Sequence, residues 1–166
     1  SEKVPNYAFQ NQKDLFFDNK AVSWGLGKPS HSNGAAYGDL DNDGDLDIVV
    51  NNVNMPPFVY RSQVSDITGN HFISLKFVGD QKNTRAVGTK ATLYAGDQQF
   101  YQEMIPVRGF QSNVDSRLLF GLGDISHIDS IIINWPYDLQ TTLYNIPADQ
   151  SLELDIRNAA KKTFVK

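Results

Sequence analysis

Five aspartates, Asp39, Asp41, Asp43, Asp45 and Asp47, occupy every second position within GDLDNDGDLDIVVNN (residues 38–52). Carboxylates about 5 Å apart repel by roughly 3 kcal/mol per pair at an effective dielectric near 20, so an ordered loop of this kind needs a cation among them. The pattern Asp-x-Asp-x-Asp-Gly-x-x-Asp suits an oxygen-ligand calcium loop, because calcium takes about 6–8 hard oxygens at about 2.3–2.6 Å. Gly44 permits the sharp reversal that returns the later ligands, since a left-handed backbone carries no Cβ penalty in glycine. Asp39, Asp41 and Asp43 are then expected to bind through carboxylates, Asp45 through its backbone carbonyl, and Asp47 to close the shell. Val50 stands where an EF-hand places its bidentate glutamate, and Ile48-Val49-Val50 reads as a strand, so the loop is of another kind. Magnesium, which prefers few carboxylates and retained waters, suits it less well. The plainer alternative is a metal-free acidic turn or a solvated strand face. Repulsion opposes it, and Asp and Gly are both depleted in strands. An affinity on the order of 10⁻⁴–10⁻³ M, usual for extracellular modules, would fill the loop outside cells, with the ion in a structural role.

Other constellations carry less chemistry. His31, His71 and His127 lie far apart in different contexts, and a zinc site from them is not expected. No Gly-x-Ser-x-Gly elbow and no phosphate loop is present, which removes the nucleophilic hydrolase and NTPase readings. A glycosidase needs two carboxylates about 5–9 Å apart. Glu2, Glu103 and Glu153 are the only glutamates, and nothing selects a partner for Glu103, so no catalytic residue is assigned and no enzyme is expected. Trp135, Tyr137, Phe110 and Tyr101 could together form an aromatic platform for a sugar ring, with Trp135 and Tyr137 the possible ligand-binding pair. Burial stabilises aromatics strongly, so core packing is the default for Trp135 at the end of an apolar strand, and for Trp24 inside its own unit.

The elements that must position these groups are short strands. The chain of 166 residues is 40% hydrophobic and 11% aromatic, which is globular, and long enough for one large or two small domains. Its formal charge of -4 is concentrated, because the loop supplies five of the nineteen acidic residues. The longest basic run is Lys161-Lys162, so nucleic acid is a poor candidate partner. The absence of cysteine excludes a disulfide framework, a thiolate zinc site and a cysteine nucleophile. No stretch approaches the roughly 20 apolar residues of a membrane span. No leader-like segment opens the sequence, so a secreted protein would be represented here in mature or trimmed form.

Strand-like runs are expected at 6–10, 36–37, 47–51, 58–61, 72–78, 90–94, 99–105, 117–120, 130–135, 142–144 and 152–156, with no sustained helical period. Ala95-Gly96-Asp97 reads as a hairpin turn. A seam rich in turn formers lies at 63–70. One internal echo aligns Phe9 with Tyr60 at a spacing of 51, near the period of a propeller blade.

Two resemblances sharpen this outline. Ser23-Trp24-Gly25-Leu26, followed by Ser32 to Asp47 with the aspartate motif, resembles the FG-GAP/VCBS repeat, which builds calcium-binding β-propellers in integrin heads and exported bacterial proteins. The likeness spans about residues 5–65 and implies the same five aspartate ligands. Val87 to Gly96, Val107-Arg108-Gly109-Phe110, Ser116 to Gly123 and Asp129 to Pro136 resemble the ASPIC/UnbV domain over about residues 70–157. That domain follows such repeats in secreted bacterial proteins and in an animal cartilage acidic protein. After Trp-Pro that family usually carries a small residue and a glycine, where this chain has Tyr137-Asp138.

The expectation is an all-β chain: a propeller-blade-like FG-GAP unit at 1–66, an antiparallel β-sandwich at 70–157 and a solvated tail at 158–166. Packing of the blade against the sandwich is expected to cover its faces. The implied function is a non-catalytic calcium-binding interaction or adhesion module, extracellular, at the cell surface or periplasmic. Its partner would be a protein or glycan, and the chain part of a longer repeat protein. The alternative is a carbohydrate-binding accessory domain of a bacterial polysaccharide-uptake system, with a glycan-acting enzyme behind it.

Overall fold

A computed structural model describes residues 2–107, 109 and 111–161. Strands make up 49% of the described residues, beside one short α-helix, so the all-β expectation holds. Two compact units form: one from the chain up to Gly38 together with Leu46–Ser62, the other from Asp39–Asp45 together with the chain from Gln63 onward. The acidic loop therefore groups with the second unit, although it interrupts a hairpin of the first.

In the first unit, β1 (Phe9–Asn11) and β2 (Phe17–Asn19) form an antiparallel ribbon. β3 (Ser32–Gly38), β4 (Asp47–Asn52) and β5 (Phe58–Tyr60) form an antiparallel sheet in that order. β2 was not expected, because the turn before it uses left-handed Lys13, Asp14 and Leu15 where a glycine would have signalled it. Ala21 and Val50 are the buried hydrophobic residues of this unit. Trp24 is a correction: it is 53% exposed, not packed inside.

The second unit opens with α1 (Val64–Thr68), a single helical turn where the seam was expected to be irregular; it ends on Gly69 in the left-handed region. The strands β6 (His71–Val78), β7 (Lys90–Ala95), β8 (Gln98–Glu103), β9 (Leu118–Gly123), β10 (His127–Trp135), β11 (Leu139–Pro147), β12 (Gln150–Asp155) and β13 (Ala160–Lys161) follow. They make a five-stranded sheet, β13-β11-β10-β7-β8, and a three-stranded sheet, β12-β6-β9. Alternation decides which face each strand buries. Ile73, Leu75 and Phe77 of β6, with Leu118, Phe120 and Leu122 of β9, meet Ala91, Leu93, Ile131, Ile133 and Trp135 from the other sheet in one core.

Two further features differ from the sequence-based outline. β12 pairs parallel to β6, because the chain leaves β11 in one sheet and enters the other at Asp149. There Asp149 N–H donates to the Phe72 carbonyl at 2.7 Å, and its carboxylate accepts from Phe72 N–H at 3.2 Å and sits 2.7 Å from His71 Nδ1. Residues 160 and 161, expected in the tail, instead pair with β11. The expected hairpin does form, with Ala95 opposite Gln98 and Gly96 N–H bonded to the Asp129 carboxylate at 2.8 Å. Among the described residues no helix is long and apolar enough to cross a membrane.

Candidate metal centre

The acidic loop begins where β3 ends, after the last pair of the β3–β4 ladder, Gly38 with Asp47. Two left-handed residues bend it: Asn42 at φ 63° and Gly44 at φ 89°. Gly44 is needed twice over. Its backbone is left-handed, and a Cβ there would lie 2.2 Å from the Phe72 ring, so the loop rests on the start of β6.

Asp39, Asp41 and Asp43 each offer a carboxylate oxygen to a common cluster, and these oxygens lie within 4.8 Å of one another. Two oxygens on one calcium ion can be no more than about 5 Å apart, twice the metal–oxygen distance, so this group could hold a metal ion. Asp39 is only 5% exposed. Its Oδ2 accepts from Gly44 N–H at 3.3 Å, while its Oδ1 is buried with no hydrogen-bond partner among the described residues. A buried carboxylate oxygen without a partner costs several kcal/mol of solvation unless a cation or donor meets it. The donor set, hard carboxylate oxygens alone, suits a hard divalent cation.

The remaining loop aspartates hold the loop to its surroundings. Asp43 Oδ1 accepts from Asp45 N–H at 3.0 Å, a local Asx turn. Asp45 Oδ2 takes both the N–H and the hydroxyl of Ser65, at 2.8 and 3.0 Å, which ties the loop to α1. Asp47, buried in the first unit, accepts from Ser62 N–H at 2.8 Å. The structure thus brings three of the five sequence-predicted residues together and shows Asp45 and Asp47 as acceptors of backbone N–H groups.

Arg117, at the entry to β9, was not singled out as a site residue. Its Nε donates to Asp115 Oδ2 at 2.7 Å, its Nη1 to Asn42 Oδ1 at 2.7 Å, and its Nη2 to the Asp39 carbonyl. Nη1 also stands 3.9 Å from Asp39 Oδ2. Burial works against the Asp115 charge, yet the Arg117 hydrogen bonds and charge outweigh it and hold that carboxyl below its ordinary range. The Asp115 hydrogen bond in turn raises Arg117, with the Asp39 charge adding to it. No local pattern could have pointed to this contact, because Arg117 lies 75 and 78 residues from its loop partners.

The aromatic candidates separate. Trp135 is buried, edge-on to Phe77 at 5.3 Å, and its indole N–H donates to Thr141 Oγ1 at 2.8 Å. It is a core residue and offers no face to a ligand. Tyr137 is 62% exposed at the β10–β11 turn, where it and Asp138 are both left-handed. Tyr101 is exposed on β8, and Phe110, with the neighbouring motif residue Arg108, lies outside the described residues.

Fold and site together define a two-unit β-protein whose acidic loop could hold a metal ion. Residues 79–161, half of the chain, match the family described as ASPIC and UnbV, and the chain belongs to that family. No family match shows the FG-GAP/VCBS likeness of the first 65 or so residues. No curated protein matches the chain.

Proposed function

We propose that the chain is a non-catalytic, calcium-binding interaction or adhesion module working outside the cell, at its surface or in the periplasm, with calcium as a structural ion. The observation that carries this reading is the buried Asp39 Oδ1, without a hydrogen-bond partner among the described residues, in a cluster with Asp41 and Asp43. Asp45, whose carboxylate is engaged by Ser65, would contribute its carbonyl, and Asp47 a further oxygen. The FG-GAP/VCBS likeness supports the same ligand set and the extracellular setting, where millimolar calcium fills weak sites. Exposure of Tyr7, Phe9, Phe16, Phe17 and Trp24 in the first unit supports its origin in a longer repeat array, whose adjoining blades would cover these side chains.

Isothermal titration with calcium chloride, paired with melting in calcium and in EDTA, tests the reading. One site and a higher melting temperature with calcium are expected, and both should vanish in Asp39→Asn. Identical melting in the two conditions would remove calcium from the account.

One observation favours a second reading, a carbohydrate-binding accessory role. Tyr137 stands exposed beside a shallow cleft with Asp80, Gln81 and Lys82, an arrangement of aromatic face and polar groups that suits a sugar. Glycan-array binding abolished by Tyr137→Ala but retained in EDTA would select it over adhesion. Turnover of a polysaccharide, lost in Glu103→Gln, would overturn both.

A further inference from the structure

We propose that Arg117 is the positioning residue of the acidic loop: fixed by Asp115, its guanidinium holds Asp39 and Asn42 so that the three carboxylates stay converged before an ion arrives. This inference rests on the metal-binding reading above. It follows from the direction of the guanidinium contacts. Nε and Nη2 both face the Asp115 carboxylate, while Nη1 reaches the Asn42 side chain and Nη2 also reaches the Asp39 carbonyl. A planar guanidinium donates along fixed directions and so sets the spacing of its acceptors, which an ammonium does not. Asn42 is one of the two left-handed residues that shape the loop, so anchoring its side chain anchors the bend.

Charge and geometry act here with opposite signs. A guanidinium nitrogen 3.9 Å from Asp39 Oδ2 repels an incoming cation, whereas a loop already held in its ligating shape binds that cation more tightly. The proposal is that geometry prevails. It also joins the loop to the sandwich, because Arg117 directly precedes β9, whose Leu118, Phe120 and Leu122 are core residues. Ion occupancy and unfolding of the second unit then become one linked equilibrium.

Calcium titration of the full chain, with melting in calcium and in EDTA, tests this on wild type, Arg117→Ala, Arg117→Lys and Asn42→Gly. Both Arg117 variants are expected to bind calcium at least tenfold more weakly and to lose most of the calcium-induced rise in melting temperature. Asn42→Gly keeps the left-handed backbone, removes the Nη1 acceptor and should weaken binding several-fold. It carries the test alone if the Arg117 variants do not fold. Unchanged or tighter binding in Arg117→Ala, or wild-type affinity in Arg117→Lys, would show that guanidinium geometry does not favour binding and would overturn the proposal. So would an equal loss of melting temperature with and without calcium, the mark of a purely structural pair, or wild-type affinity in Asn42→Gly. Absence of binding in the wild type overturns the metal reading itself and the inference with it, and the wild-type titration distinguishes that outcome from the others.

Discussion

Gly44 shows how much a single position decides. Its φ of 89° would strain any L side chain by about 1–2 kcal/mol, and the Phe72 ring leaves no room for a methyl group. Gly69 is also left-handed, at φ 67°, but open space surrounds it. Gly69→Ala should therefore cost about 1 kcal/mol, and Gly44→Ala about 2–4 kcal/mol, in chemical denaturation. Equal losses at the two glycines would show that the Phe72 contact does not matter. Tyr137 and Asp138 pose the converse case. They adopt left-handed backbones at the β10–β11 turn without being glycine, so this chain keeps an exposed ring there at some conformational cost.

Polar side chains join elements to one another, and the entry to β9 holds one such contact. Asp115 ionises more readily in the folded chain than its ordinary value of 3.8, since Arg117 outweighs the effect of burial. A lowered folded value means that the pair stabilises the fold at neutral pH, and that this contribution is lost as the pH falls below about 4 and through the folded value. Melting temperature measured from pH 6 to pH 2 should drop less steeply in Asp115→Asn than in wild type. The reverse order would contradict the assigned direction. Asp155, held down to about 2 chiefly by its Arg157 hydrogen bond, shares the sign, but Arg157 is well exposed to solvent, and pairs with an exposed partner contribute little.

At the scale of the whole molecule, the two units differ in how they bury apolar surface. The second encloses Ile73, Leu75, Leu93, Ile131 and Ile133 completely between its two sheets, and the first has only small buried patches. Truncating Ile131 to Ala should cost about 2–5 kcal/mol, because neighbours on both sheets cannot close the cavity. A Val59→Ala change in the first unit, at an exposed position of β5, should stay within about 0.5 kcal/mol. Denaturant midpoints of the two variants check the contrast.

Local regularities were legible in the sequence. Alternating apolar residues foretold β6, β7, β9 and β10, and the spacing of aspartates foretold a carboxylate cluster, because both patterns express the two-residue period of extended chain and the short reach of a tight loop. The ribbon turn at Lys13 to Leu15, the parallel β12–β6 pair, the β13 pairing and the Arg117 contact were not. Each depends on segments brought together only after the chain has folded, or on backbone angles that no glycine announces. Sequence alone therefore determined that this protein is built of strands and carries an acidic loop of metal-ligand spacing. The tertiary structure decided which unit that loop joins, which of its carboxylates converge, and which distant side chain holds it, since long-range packing selects among arrangements that local chemistry leaves equally open.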